Sequence, residues 1–183
     1  MCALLCAGLL IVLEGRMELL IFSDSHGNAS NMSMALERQI KKPDAILFLG
    51  DGARDLDRLF VCDTPIWAVR GNCDWASSDY ADKTERLLYL EGHTILLCHG
   101  HEWGVKGGLS GLIAHAAEVG ADIVLFGHTH VPTLTTIAAG ETVGKTVLSR
   151  PMYLFNPGSI GYEGGFGTLT LKGENVLLNH GSL

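Results

Sequence analysis

An α/β fold, with two packed mixed β-sheets flanked by helices, is predicted by three features of the 183-residue chain. Apolar runs alternate with amphipathic stretches over the first two thirds. Five of the runs close on Gly and polar residues, as buried strands do. The last third changes character, to short runs split by glycine-rich turns that suit antiparallel strands. Elements of this kind each bury one face, so the order suggests layers around a shared core.

The first strand is Leu19-Leu20-Ile21-Phe22. Residues 28–42 follow, with Met32, Ala35, Leu36 and Ile40 at helical spacing and a Lys-Lys-Pro stop. A second strand, 45–49, leads through Asp51 into a short helical stretch around Leu56 to Phe60. Pro65 precedes a third strand, 66–69. Residues 74–86 are polar and acidic without an apolar period and read as a surface excursion. A hairpin is expected across Glu91-Gly92, then a strand over 94–98. Leu109 to Val119 forms an amphipathic helix ended by Gly120, and a strand over 123–126 follows. Antiparallel strands are expected at 133–138, 145–149, 153–155, 166–171 and 175–179.

The length suits one domain. We place its core at residues 17–183 and read residues 1–16 as an N-terminal extension outside it. Its apolar stretch falls short of the ~20 residues that span a bilayer, and it lacks a basic n-region and an Ala-x-Ala-like cleavage site. Met17 opens onto the first strand, so an upstream mis-set start codon is preferred to a secretory or lipid-anchoring segment. The net charge of −7 argues against stable nucleic-acid or anionic-membrane binding, which needs a Lys/Arg footprint. Five Cys with no C-x-x-C pair suit free thiols in a reducing cytoplasm. The apolar surplus makes a homodimer or homotetramer plausible.

The chemistry lies at the ends of the apolar runs. They lead into Asp24-Ser25-His26, Gly50-Asp51, Gly71-Asn72-Cys73-Asp74, His99-Gly100-His101 and Gly127-His128-Thr129-His130. Singly these are weak. Asp24 and Ser25 suit a helix start, Gly50-Asp51 a turn, and His99 a hydrogen-bonded core group. Open α/β sheets, however, bind ligands beyond the carboxyl ends of their strands, and all five motifs share that place. A core has no need of such a cluster, whereas a metal site does.

Asp-x-His, Gly-Asp, Gly-Asn-x-Asp, His-Gly-His and Gly-His-Thr-His, in this order, resemble the calcineurin-like metallophosphoesterase superfamily. Cys73 and Asn156-Pro157-Gly158-Ser159 are similar to its YfcE-type phosphodiesterase branch. The resemblance implies a four-layer sandwich and a metal-dependent phosphodiesterase acting on a small phosphoester. It further implies a dinuclear divalent-metal centre whose bridging hydroxide attacks phosphorus in line. Asp24, His26 and His130 would hold one ion, Asn72, His99 and His128 the other, with Asp51 bridging. Asp51, Asn72 and His99 would thus form the catalytic centre. Carboxylate, amide and imidazole ligands suit Mn²⁺ first, with Ni²⁺, Zn²⁺, Fe²⁺ or Mg²⁺ as alternatives. Two such ions outweigh Asp24, Asp51 and a hydroxide, so the centre stays positive within an acidic protein.

Cys73 stands where many relatives carry His. It is either a small packing residue or a poor proton donor, and diesters should then be handled better than alkyl monoesters. Cys73, His101 and Arg54 are possible substrate contacts; Arg54 and Arg70 either grip a phosphate or are solvated surface residues. Trp75 and Trp103 either wall a cleft or pack under a loop. Asp74 is expected to orient a ligand, Asn156 to Ser159 to form a shaped turn, and His93, His115 and His180 to be ordinary histidines. The alternatives are a phosphomonoesterase or nucleotide phosphatase, and a non-catalytic scaffold of the same fold.

Overall fold

The computed structural model describes residues 15–61, 63–75 and 82–183. Most of the extension read at residues 1–16 therefore lies outside the described residues. The chain runs β1 (Arg16–Phe22), α1 (Ala29–Glu37), β2 (Ala45–Phe48), a 3-10 helix η1 (Ala53–Arg58) and β3 (Ile66–Ala68). Then come β4 (Glu85–Leu90), β5 (His93–Cys98), a 3-10 turn η2 (His101–Trp103), α2 (Ser110–Glu118) and β6 (Ile123–Leu125). The remainder is β7 (Thr133–Ile137), β8 (Thr142–Val143), β9 (Thr146–Val147), β10 (Met152–Asn156), β11 (Gly165–Lys172) and β12 (Asn175–Ser182).

Two five-stranded mixed sheets result, ordered β12-β11-β1-β2-β3 and β4-β5-β6-β10-β7. Alternation along each central strand divides its side chains between two apolar layers. Leu19 and Ile21 of β1 join Leu47, Leu97, Leu125 and Phe155 between the sheets. Leu20 and Phe22 face outward, with Phe48, under Met32 and Ala35 of α1. On the other sheet Leu96, Val124 and Leu154 lie under Leu112 and Ala116 of α2. Three apolar layers thus separate helix, sheet, sheet and helix. Strands covered on both faces read as unbroken apolar runs, which is what made them visible in the sequence.

Several expectations need correction. The first helix stops at Glu37 rather than reaching 42, because residues before Pro43 are driven from the helical region. Ile40 is therefore fully exposed instead of completing the buried stripe. The helical stretch after Asp51 covers Ala53–Arg58, and Phe60 lies outside it, exposed. Glu85 and Arg86, read as part of an excursion, open β4 and pair with Cys98 and Leu97. The strand expected at 145–149 is only a two-residue ladder. The run at 153–155 pairs parallel with β6 as well as antiparallel with β7. Periodicity reports burial and does not name the partner strand. The expected hairpin is present: Glu91 (φ 48°) and Gly92 (φ 80°) make the two-residue turn whose twist suits hairpin strands. β1 begins at Arg16, paired with Lys172, one residue before the expected core boundary. Among the described residues, no helix is long and apolar enough to cross a membrane.

The amino ends of the strands hold a buried polar tie. His93 Nδ1 faces Asp122 Oδ2 at 2.6 Å, and its Nε2 faces the Gly173 carbonyl of the opposite sheet at 3.0 Å. Asp122 also accepts from the Thr94 N–H and from Arg150. Asp122→Ala strands these donors, which costs about 2–4 kcal/mol in a urea midpoint measurement.

Candidate metal centre

The parallel core strands all end at one pole, where loops of both sheets meet. Asp24 and His26 follow β1, Asp51 follows β2, and Asn72 and Cys73 follow β3. From the facing sheet come His99 after β5, and His128 and His130 after β6. Among the described residues, seven non-glycine residues have positive φ, and five of them are Asp24, His26, Asp51, His128 and His130. A left-handed backbone is costly for such residues and persists only where the surroundings fix it, commonly at functional sites.

Asp24 is fully buried. Its Oδ2 accepts the Ser23 hydroxyl and the His128 N–H, while Oδ1 has no hydrogen-bond donor. Around that oxygen stand three imidazole Nε2 atoms: His130 at 3.1 Å, His26 at 3.8 Å and His99 at 3.9 Å. His26 and His130 approach each other at 3.3 Å between Nε2 atoms. The His99 Nδ1–H donates to the Leu49 carbonyl at 2.7 Å, turning Nε2 toward Asp51 Oδ2 at 3.3 Å. That pair is not aligned as a hydrogen bond, so His99 Nε2 is also orphaned and buried. Buried polar atoms without partners are costly, and lone pairs converging on one space are what a cation resolves.

The donor atoms form compact sets, each mutually within 4.8 Å: Asp24, His26 and His130; Asp51, His99 and His128; and His26, Asp51 and Cys73. Asp51 belongs to two of them, which suits a shared ligand. The third set departs from expectation, since it brings a thiol within ligand reach where only carboxylate, amide and imidazole were foreseen. Asn72 is exposed, and its amide donates to Cys73 Sγ at 3.2 Å. His101 lies in none of these sets. Its ring centre is 5.4 Å from that of His99 and 6.1 Å from that of His128.

The electrostatics follow from crowding. Burial pushes the Asp51 carboxyl up, but the adjacent His99 ring and the Cys73 N–H and thiol outweigh it and hold it far below the usual carboxylate range. Burial draws His99 down, yet the carboxylates of Asp51 and Asp24 overcome it and raise the ring. His128 is drawn down to about 4, by burial first and then by His99 and Lys106, so it stays a neutral donor. His101 is lowered for similar reasons. Burial and the Asp51 carboxylate push the Cys73 thiol up, so without cations it stays protonated rather than moving toward thiolate.

The loops are held by neighbours largely illegible in the sequence. The Asp74 carboxylate accepts four backbone N–H bonds, from Asp51, Gly52, Ala53 and Gly71, at 2.8–2.9 Å. It thus ties the β2 and β3 loops and orients Asp51 through the backbone. Asp55, absent from the sequence reading, accepts from the Ser25 hydroxyl and the Gly27 N–H. Asn156 binds the Gly127 carbonyl and Thr129 hydroxyl, and Ser159 donates to the Asp24 carbonyl. This gives the Asn156–Ser159 turn its bracing role. His180 donates to the Asn156 carbonyl and stacks on Phe155. Tyr162, also missed, places its ring 5.1 Å from His26 and 5.4 Å from His130. Trp103 stacks on His115 at 4.1 Å, a packing role, whereas Trp75 is exposed beside the ligand loops. Arg54 borders the same cleft, and Arg70 lies at the end of β3 with its N–H on the Lys83 carbonyl.

Two substitutions separate the scaffold from the ligands. A Cβ on Gly71 would stand 2.1 Å from Asp51 Oδ1, so Gly71→Ala should displace that carboxylate and lower bound metal, read by elemental analysis. Asp74→Ala leaves four N–H groups without their acceptor and should cost about 3 kcal/mol or more in urea unfolding of metal-free protein.

Comparison with known proteins agrees with this geometry. The family model for the calcineurin-like phosphoesterase superfamily domain matches residues 17–174. The chain is 35% identical over 144 residues to the probable metallophosphoesterase YsnB of Bacillus subtilis (strain 168), covering 79% of this chain and 75% of that protein. Among solved structures it is similar to a conserved uncharacterized protein, a predicted phosphoesterase, from Streptococcus pneumoniae TIGR4. That match has a TM-score of 0.68 and 24% identity and covers 92% and 90% of the two chains. It is similar in fold to Vacuolar Protein Sorting 29 from Cryptosporidium parvum, with a TM-score of 0.67, 17% identity and coverage of 92% and 99%. A family match over most of the chain and a relative 35% identical over 144 residues lead to one assignment: this chain belongs to the calcineurin-like phosphoesterase superfamily.

Proposed function

We propose that the protein is a metal-dependent phosphodiesterase with a dinuclear divalent-metal centre and a bridging hydroxide, acting on small phosphoesters. The observation that carries this is the orphaned Asp24 Oδ1 among three imidazole nitrogens, 3.3 Å from whose partner His99 lies the Asp51 carboxylate. When bound, two divalent ions would supply a water of lowered pKa and polarise the phosphoryl oxygens. The chain's own residues would do the positioning. Asp24, His26 and His130 would hold one ion, and His99, His128 and Asn72 the other. Asp51 stands between them with its Oδ1 fixed by the Cys73 N–H at 2.7 Å. Manganese suits the mixed oxygen and nitrogen ligands best, with nickel, zinc, iron and magnesium as competitors.

Cys73 is exposed at the mouth of the site, and beside two cations its sulfur would lie toward thiolate, which has no proton to give an alkoxide. Diesters with good leaving groups need no such donor, which favours them over alkyl monoesters. The monoesterase and nucleotide phosphatase readings therefore stand second. For the scaffold reading, the fold likeness to Vacuolar Protein Sorting 29 is the point of contact, while the intact donor sets favour catalysis.

Metal-free protein reconstituted separately with Mn²⁺, Ni²⁺, Zn²⁺ and Mg²⁺ and assayed on bis(p-nitrophenyl) phosphate and alkyl monoesters tests the proposal. Mn²⁺ should restore diester hydrolysis, and Asp51→Asn should lower kcat/KM about a thousandfold or more. Failure to bind any of these ions would favour a partner-binding scaffold. Cys73→His should raise alkyl monoester turnover relative to diester turnover; no gain would remove Cys73 from the account of specificity.

A further inference from the structure

In the hydrolytic reading Cys73 contributes only what it lacks, a proton for the leaving group. Its position gives it a second part. The ligand atoms of His26, Asp51 and Cys73 lie mutually within 4.8 Å. The other two sets, Asp24 with His26 and His130, and Asp51 with His99 and His128, offer only oxygen and nitrogen. The sulfur set takes one member from each of them, His26 from the first and Asp51 from the second.

The thiol is fixed at this place by the loops that carry it. The Cys73 N–H donates to Asp51 Oδ1 at 2.7 Å, which clamps its backbone to the shared carboxylate. The Asp74 carboxylate, one residue on, accepts the N–H groups of Asp51 and Gly71 and so ties the β2 loop to the β3 loop. The Asn72 amide donates to Cys73 Sγ at 3.2 Å, a bond that a sulfur anion accepts better than a neutral thiol does.

Two orphaned atoms abut the same set. Asp24 Oδ1 and His99 Nε2 are buried without hydrogen-bond partners, on residues with no exposed surface. The first lies 3.8 Å from His26 Nε2 and the second 3.3 Å from Asp51 Oδ2. Unsatisfied lone pairs on both flanks call for a cation rather than for more hydrogen bonds. An ion has a way in, because Cys73 is exposed and borders, with His26 and Asp51, a surface cleft of about 540 Å³. Cys98, the other described free thiol, is buried in the apolar layer under α2 and belongs to no donor set.

Resting on the metal-centre reading above, we propose that Cys73 Sγ is an additional metal ligand. With His26 and Asp51 it forms a subsite that takes a thiophilic divalent ion, Zn²⁺ or Cd²⁺, in preference to Mn²⁺. Thiolate selects such ions, whereas Mn²⁺ is served by harder oxygen ligands. On coordination the sulfur bonds to the ion and the thiol proton passes to solvent. An ion held there occupies His26 and Asp51, so it competes with Mn²⁺ at both of the other sets and inhibits the Mn²⁺ form.

Metal-free full-length protein is titrated with Cd²⁺ while sulfur-to-cadmium charge-transfer absorption is followed, and with Mn²⁺ by calorimetry. The native protein should gain the absorption band. Cys73→Ser should lose it and bind Cd²⁺ about tenfold or more weakly, while Mn²⁺ affinity changes less than about threefold. His26→Ala should also weaken the band, because it removes a ligand of the same ion; a band arising at other cysteines of the chain would survive both substitutions. An unchanged band and Cd²⁺ affinity in Cys73→Ser overturn the ligand assignment and, with Mn²⁺ still bound, spare the metal centre. An equal loss of affinity for both ions overturns the selectivity. Failure of the native protein to bind either ion overturns the centre and the subsite together. A Cd²⁺ preference that depends on Cys73, in a protein whose Mn²⁺ form hydrolyses no diester, overturns the phosphodiesterase and spares the subsite.

Discussion

A carboxylate oxygen buried with no donor, facing three imidazole nitrogens, is the constraint around which this molecule is arranged. Left to itself such a cluster is unfavourable, since burial removes water from Asp24 and His99 without replacing it. The fold nevertheless holds the cluster rigidly. Oδ2 of Asp24 is fixed by Ser23 and the His128 N–H, and the Asp24 carbonyl by Ser159 and the Gly161 N–H. What remains open is a space bounded by lone pairs.

The two sheets share this work unequally. One supplies the carboxylates, the amide and His26, on loops tied by Asp74 and Asp55; the other supplies His99, His128 and His130, with the turn after β6 tied by Asn156. Because the strands of both sheets end at the same pole, residues more than a hundred positions apart, such as His26 and His130, come within 3.3 Å. At the opposite pole His93, held by Asp122, reaches the Gly173 carbonyl of the other sheet. Packing between the poles is apolar throughout, so neither polar cluster disturbs the other.

Much of this was legible in the residues. Unbroken apolar runs marked strands buried on both faces, and the polar residues closing them marked the rim. The rim residues follow from that rule, whereas their division between two ions came from the family resemblance. Less was legible where a residue acts through the backbone. Asp55 lies in a short 3-10 helix with no pattern around it, and its role depends on a Ser25 thirty positions away. Tyr162 sits in a turn whose sequence gives no reason to place a ring beside His26. Strand partners were also hidden. The run at 152–156 joins the second sheet parallel to β6, and alternation reports only which residues are covered. Ile40 failed for a local reason, the proline three residues on, which ended the helix before its spacing could count.

Five of the residues at the rim hold left-handed backbone angles that suit glycine or asparagine better than aspartate or histidine. Each costs roughly 1–2 kcal/mol, which the apolar layers must offset. A descendant that no longer needed to hold cations could relax these positions to glycine and gain thermal resistance as it lost its chemistry. The same architecture would then be released, sturdier than before, for uses in which nothing is cleaved.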